Sequence, residues 1–156
     1  MTKATAPKQN SVNAMAKHLA QVLSDTYVLA VKTHGYHWNV TGPQFSDLHA
    51  FFGTQYEELL AAADLVAERI RALGLMPDGS MDAFLQNTAI KEAGAKPITA
   101  EAMLEDLLNS HKQVIDGIKA AANFADDIDD IGSEDLMVQR LHAHDKASWM
   151  IRSHLL

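Results

Sequence analysis

The stretch LMPDGSMDAFLQNTAIKEAGAKPI, residues 75–98, decides the fold because it separates two pairs of long helices. Four helix-breaking residues stand toward its two ends: Pro77, Gly79, Gly94 and Pro97. Proline removes a backbone donor and glycine weakens a helix interior, so a long helix cannot run through either end. Between them, MDAFLQNTAI (residues 81–90) predicts a short helix. The stretch is therefore a long connection with one helical segment of its own.

On the amino-terminal side of this connection, apolar residues recur every three or four positions, which is the spacing of a buried helical face. One such segment covers residues 11–39, and a second covers residues 45–73. The turn TGPQ, residues 41–44, separates them, and its Pro43 suits the first turn of a helix. Gly74 ends the second segment. These features predict two long helices joined by a short turn.

On the carboxy-terminal side, Thr99 is expected to cap a third helix that runs to about Phe124. The acidic run ADDIDDIGSEDL, residues 125–136, predicts a turn, and Ser133 is expected to cap a fourth helix that reaches the carboxy terminus. No segment shows the pattern of a β-strand. Two long helices, a connection of about 25 residues and two more helices predict an all-α, ferritin-like four-helix bundle with a short extra helix in the connection.

The composition fits one domain with an acidic surface. The chain has 156 residues, 47% of them hydrophobic, with eight histidines, no cysteine and a formal charge of −7, which attracts cations and repels nucleic acid. Residues 1–10 hold little apolar material, so we expect a flexible tail ahead of the bundle domain at residues 11–156. No uncharged run approaches the roughly 18 residues of a membrane span, and no signal-peptide core is found near the amino terminus. A cytoplasmic protein without membrane contact is therefore expected.

Without cysteine, a metal ion can be held only by imidazole and carboxylate, a ligand set that suits iron, zinc or manganese. The Glu-x-x-His motif that di-iron bundles place on two helices does not occur in the sequence. A site in the middle of the bundle is therefore not expected. The remaining candidate ligands are His37, His49, Asp64 and Glu68.

The spacing of these candidates excludes a site within one subunit. His49 and Asp64 lie on the same predicted helix, about 22 Å apart at the usual rise, whereas metal ligands lie about 2 Å from their ion. They can meet between subunits if the second helices of two chains cross antiparallel, and a twofold axis then makes the site twice. Alternatively, Asp64 and Glu68 form a solvated helical face, or Glu68 pairs with a neighbouring arginine. The spacing does not decide between these alternatives.

Three segments carry a resemblance to a known family: KTHGYHWNVTGPQFSDLH (residues 32–49), YEELLAAADLVAERIRALG (residues 56–74) and HDKASWMIRSHL (residues 144–155). Together they resemble the Dps family (DNA-binding proteins from starved cells), the small dodecameric ferritins of bacteria. The resemblance covers the whole folded part of the chain. It implies a mini-ferritin, a hollow homododecamer that stores a ferric mineral.

The resemblance also implies a di-iron ferroxidase site at a twofold interface, with His37 and His49 from one subunit and Asp64 and Glu68 from its neighbour. There Fe²⁺ is expected to be oxidised by hydrogen peroxide or dioxygen, which protects against oxidative damage. Trp38, next to His37, lies where the family keeps a tryptophan that stray radicals oxidise. Its alternative role is that of an interface anchor.

Two further expectations depend on the resemblance. Many family members carry an acid where this chain has Gly53, so one iron position is expected to be weakly held or only transiently filled. Asp130 and Asp135, in the acidic run, are expected near threefold pores through which Fe²⁺ enters, because rings of carboxylates attract divalent cations. The alternative is a solvated loop that caps a helix.

DNA binding is the competing function. In the family it usually depends on a mobile tail rich in Lys or Arg, but the tail here offers only Lys3, Lys8 and the terminal amine. The charge of −7 opposes association with phosphate. We therefore expect DNA binding to be weak, and the alternative to an iron-storing cage is a DNA-compacting nucleoid protein whose iron chemistry is secondary.

Overall fold

The computed structural model describes residues 8–156, and throughout that range the regular secondary structure is α-helical. The five helices are α1 (Gln9–Asn39), α2 (Phe45–Ala72), α3 (Met81–Asn87), α4 (Ala100–Asp127) and α5 (Ile131–His154). Four of them are long, and the short α3 lies in the connection between α2 and α4. The prediction of an all-α, ferritin-like bundle with an extra helix in the long connection is confirmed.

The helix ends differ from the predicted ones by a few residues. Helix α1 begins at Gln9 rather than Ser11, so the last two residues of the predicted tail are helical, and residues 1–7 lie outside the described range. Pro43 lies in the turn before α2, where the Phe45 N–H donates to the Gly42 carbonyl at 3.1 Å. Helix ends are the least sharply encoded part of a helix, because the terminal groups have no partners within it.

The cap of α5 was predicted wrongly. Asp130, not Ser133, is the N-cap residue: its carboxylate accepts the Ser133 N–H at 3.1 Å and the Ser133 hydroxyl at 2.6 Å. Ser133 therefore lies inside the first turn. Thr99 caps α4 as predicted, by accepting the Ala102 N–H at 3.1 Å.

The hydrophobic core lies between the four long helices. Helices α1 and α2 pack as a hairpin, α4 and α5 pack as a second pair, and α1 contacts α4. All four long helices contribute side chains that are completely buried; these include Leu19, Leu29, Leu48, Phe52, Val114, Ala121, Met137 and Ile151. In residues 8–156, no helix combines the length and apolar character needed to cross a membrane.

One buried carboxylate attaches the long connection to α1. Asp25, 1% exposed, accepts the Thr88 hydroxyl at 2.9 Å and the Ala89 N–H at 2.7 Å. Burial raises the pKa of the Asp25 carboxyl, and its hydrogen bonds partly oppose that shift. These bonds fix the point at which the chain turns from α3 toward α4.

A second polar contact joins α1 to α4 close to the end of α1. The Lys32 ammonium lies 2.9 Å from Asp106 and donates to the Ser110 hydroxyl at 3.0 Å. The Tyr36 hydroxyl donates to the same Asp106 carboxylate at 2.6 Å. Burial is the main cause that raises the pKa of Tyr36, and the Asp106 carboxylate raises it further. The last turn of α1, which carries His37, is thereby held against the bundle.

Candidate metal centre

His37 and His49 lie together where α1 ends and α2 begins. Their rings stack with centroids 3.8 Å apart and an angle of 18° between planes. The Nδ1 atom of His37 lies 2.6 Å from the carbonyl oxygen of His49, and the Nδ1 atom of His49 lies 2.7 Å from the carbonyl oxygen of His37. The two residues therefore hold each other through reciprocal side-chain to backbone hydrogen bonds.

This reciprocal arrangement fixes the tautomer of both rings. A carbonyl oxygen only accepts, so each Nδ1 must carry a proton and donate it. In a neutral imidazole the other nitrogen, Nε2, then keeps its lone pair. Backbone carbonyls are common partners of metal-binding histidines, because they orient the ring and raise the basicity of the ligating nitrogen. His37 and His49 are therefore both prepared to bind a metal ion through Nε2.

The local sequence explains how the two rings come so close. Gly42, with a φ of 109°, makes the turn between the helices in a conformation that favours glycine. Gly53 lies one turn after His49, and a Cβ atom there would be 3.2 Å from Cε1 and Nδ1 of His37. Because it has no side chain, Gly53 gives the His37 ring room to rest against α2.

Aromatic rings surround the histidines on one side. Tyr56 meets His37 edge-on at 5.5 Å between centroids, and His34 stacks on Tyr56 at 3.9 Å. His34 also contacts Trp38 at 4.1 Å, while Trp38 is 65% exposed in the single chain. His34 was not among the predicted ligands, although its place three residues before His37 puts it on the same helical face.

Asp64 and Glu68 form a separate pair further along α2. Both are exposed, and no hydrogen bond or ion pair within residues 8–156 engages either carboxylate. The neighbouring arginines point elsewhere, Arg69 to Asp130 and Arg71 to the Leu75 carbonyl. The alternative in which an arginine neutralises Glu68 is therefore not what the chain adopts.

The structure does not bring the four predicted ligands together within one chain. His49 and Asp64 are both on α2, about 22 Å apart at the rise of a regular helix. Over the described 149 residues from Lys8 onward, no three His, Cys, Asp or Glu side chains cluster closely enough to hold a metal ion. One chain thus carries a histidine half-site (His37 and His49) and, well apart from it, a carboxylate half-site (Asp64 and Glu68).

The acidic turn before α5 is built around Asp130. Asp130 is 7% exposed, and its carboxylate accepts a hydrogen bond from the Arg69 guanidinium at 2.5 Å. Arg69 also donates to the Ser133 hydroxyl at 3.0 Å, and a Cβ at Gly132 would lie 2.9 Å from its guanidinium. Asp135, in contrast, is exposed. Of the two predicted pore residues, Asp130 is thus engaged inside the loop, and Asp135 faces solvent.

The family is decided by comparison with known proteins. The ferritin-like domain family matches residues 16–156. DNA protection during starvation protein 2 of Bacillus anthracis is 35% identical over 145 residues, which cover 90% of this chain and 99% of that protein. The chain belongs to the Dps family of ferritin-like proteins. The resemblance seen in the sequence is confirmed.

Crystal structures of Dps proteins have the same fold. Dps from Staphylococcus aureus, 34% identical, superposes with a TM-score of 0.90 over 97% of this chain and 99% of its own. The Dps protein from Vibrio cholerae O1, 27% identical, superposes with a TM-score of 0.90 over 99% of this chain and 100% of its own. That protein is described as a member of a broad superfamily of ferritin-like diiron-carboxylate proteins. The Dps fold of this chain therefore extends over both half-sites.

The donor atoms of this Dps chain fit iron. Two imidazole nitrogens bind Fe²⁺ well, and two carboxylates favour the ferric product. The two half-sites therefore supply a suitable ligand set for iron, provided that they come from different chains.

Proposed function

We propose that this protein binds Fe²⁺ at sites shared between two subunits, oxidises it with hydrogen peroxide or dioxygen, and stores the ferric product inside a hollow homododecamer. The observation that carries the proposal is the histidine half-site, in which both Nδ1 atoms donate to backbone carbonyls and both Nε2 atoms are left to bind metal. Membership of the Dps family supports the same conclusion.

Each site takes His37 and His49 from one subunit and Asp64 and Glu68 from its neighbour. Two Fe²⁺ ions give one electron each to hydrogen peroxide, the O–O bond breaks, and two protons complete two water molecules. Because both electrons arrive together, no hydroxyl radical leaves the site. Trp38 follows His37 in the sequence, contacts His34 and is exposed in the single chain, so we assign it the reduction of radicals that escape when only one Fe²⁺ is bound.

The purified protein tests this function directly. We expect light scattering to give about 205 kDa for twelve chains of 17.1 kDa. We expect these cages to oxidise Fe²⁺ far faster than buffer does when peroxide is added, with absorbance of the ferric product as the measurement. A stable monomer or dimer at micromolar concentration would exclude the cage, and oxidation at the rate of buffer alone would exclude the enzyme.

Replacement of Gly53 separates stability from activity. In Gly53→Ala, the helix should gain up to about 1 kcal/mol of stability, because alanine is the better helix former. The new Cβ would press on the His37 ring from 3.2 Å, so Fe²⁺ oxidation should slow several-fold. Urea denaturation and initial oxidation rates measure the two effects.

Gly35→Ala is the matched control for this experiment. Gly35 is also inside a helix, but no atom lies within 4 Å of a Cβ built there. That variant should gain comparable stability and keep its oxidation rate. An unchanged rate in Gly53→Ala would show that the fit of His37 against Gly53 is unimportant for the chemistry.

Iron entry is assigned to the acidic segment around the start of α5, residues 125–136. We propose that Asp135, in the second turn of α5, contacts Fe²⁺ at a threefold pore and that Asp130 caps the helix that carries it. Asp135 is exposed, whereas Asp130 is committed to Arg69 and Ser133. Of the two aspartates predicted at the pore, we thus propose a direct role in iron entry for Asp135 and a structural role for Asp130.

DNA binding is the weaker candidate, favoured by the name of the Bacillus anthracis relative. The charge of −7 for each chain opposes it, and Lys3 lies outside the described residues. We expect weak retardation of duplex DNA that disappears as salt is raised and on deletion of residues 1–10. Retardation that survives the deletion at physiological salt would place a DNA-binding surface on the helical domain instead.

A further inference from the structure

Two histidines that take no part in the proposed iron site face each other in the middle of the bundle. His111 of α4 and His144 of α5 are 2% and 1% exposed, and their Nδ1 atoms lie 2.8 Å apart. The residues are 33 positions apart in the sequence, and each one alone resembles an ordinary core or surface histidine. The contact between the two rings is thus a buried polar contact that joins α4 to α5.

The protonation of the pair follows from a third side chain. Arg140 of α5 places a guanidinium nitrogen 3.5 Å from Nε2 of His144, and guanidinium only donates. Nε2 of His144 must therefore be unprotonated, so its proton is on Nδ1 and is donated to Nδ1 of His111. A single proton between the two facing nitrogens thus joins the two helices.

No carboxylate in residues 8–156 is placed to neutralise the positive charge that either imidazole would gain on protonation. Arg140 forms a bidentate ion pair with Glu58 of α2, and Glu58 is the half-exposed member of that pair. The Nε atom of Arg140 is buried and has no hydrogen-bond partner within residues 8–156. Within the same range, no carboxylate contacts either imidazole.

The helix α1 adds no free acid on its side of the pair. It reaches this level through Lys32, which contacts Ser110, the neighbour of His111, and which is already paired with Asp106. A proton added to either imidazole would therefore create a second cation beside Arg140 in a space closed to water. Two like charges in such a place are strongly unfavourable.

We propose that the His111–His144 pair is an acid latch: it holds α4 against α5 while both rings are neutral and releases them when one ring takes up a proton. The latch stands apart from the iron chemistry, because neither ring contacts the residues of the two half-sites.

The sign of the pH dependence follows from the two states. Burial, and then the charge of Arg140, lowers the pKa of His111 to about 4. Burial is the main cause that lowers the pKa of His144 well below its usual value, and the charges of His111 and Arg140 lower it further. In the unfolded chain both titrate near pH 6.5, so the unfolded chain binds more protons as the pH falls below that value. The contribution of the neutral His111–His144 pair to the free energy of unfolding is therefore complete above pH 6.5 and is lost as the pH falls toward 4.

His144→Gln tests the latch without removing its hydrogen bonds. The glutamine oxygen can accept from Arg140 and its amide can donate to His111, but the side chain cannot take up a proton. At pH 7 we expect the variant to remain folded, and we expect the acid midpoint of helix loss, followed by circular dichroism, to fall by about one pH unit. His142→Gln, at an exposed position two residues away, should leave the midpoint unchanged.

A second measurement uses the unchanged protein, in case His144→Gln does not fold. Hydrogen–deuterium exchange at the imidazole C2 position, read by mass spectrometry, reports the titration of each histidine. We expect His111 and His144 to titrate at least one pH unit lower in the folded protein than in the urea-unfolded chain. Equal titration in both states would overturn the latch, as would a folded His144→Gln variant whose acid midpoint matches that of the unchanged protein.

Discussion

Cages assembled from a mixture of His49→Ala and Glu68→Ala chains should recover Fe²⁺ oxidation that neither variant shows alone. Each variant by itself damages every site, because each site needs both half-sites. In a mixed pair of subunits, one site takes its histidines from the Glu68→Ala chain and its carboxylates from the His49→Ala chain, and that site is whole. Equal, random mixing makes about a quarter of all sites whole, so about a quarter of the peroxide-driven rate should return.

The control for this experiment is a mixture of His37→Ala and His49→Ala chains. Every site then takes its histidine half-site from a chain that has lost one imidazole, so no combination is intact and no activity should return. If well-mixed His49→Ala and Glu68→Ala cages stay as inactive as their parents, the site is not shared between subunits. The separation of about 22 Å along α2 is the reason to expect recovery.

Asp130→Ala should lower the free energy of unfolding by about 3 kcal/mol, because it removes a helix cap and leaves Arg69 without its carboxylate. Asp135→Ala removes an exposed carboxylate in the second turn of α5 and should change stability by less than about 0.5 kcal/mol. Urea denaturation of the two variants measures the difference.

For the rate of iron uptake we expect the reverse: the direct effect of Asp135→Ala should be larger than that of Asp130→Ala. Asp135→Ala should slow entry of Fe²⁺ into an otherwise stable cage, most clearly at low ionic strength, where surface charge acts furthest. If Asp130→Ala proves as stable as Asp135→Ala and slows iron entry as much, Asp130 is a pore ligand and the assigned structural role is wrong.

The sequence predicted the helices well because their signals are local. The three-to-four spacing of apolar residues and the breakers on either side of α3 act within a few positions of each other, so element order and the cap at Thr99 followed from the pattern. The cap of α5 did not, since both Asp130 and Ser133 are good capping residues. Arg69, 61 positions from Asp130, binds that carboxylate and decides between them.

The members of the candidate site remain a prediction, whereas the stacking of its two histidines is seen only in the structure. Resemblance to the Dps family implied His37, His49, Asp64 and Glu68 as ligands, and the spacing along one helix indicated that two subunits must contribute if these residues share a metal ion. The reciprocal bonds between His37 and His49 depend on how α1 and α2 pack, and no local pattern encodes them. The pairing of His111 with His144 was missed for the same reason.

The reciprocal bonds of His37 and His49 also affect how quickly the proposed iron sites would form. Both partners of each bond belong to the same hairpin, so the histidine half-site is finished once a single subunit has folded. The exposed Asp64 and Glu68 likewise need no rearrangement before they meet a neighbour. Metal-binding capacity should therefore arise at the bimolecular rate of subunit encounter, and dilution of freshly folded chains should delay it in proportion.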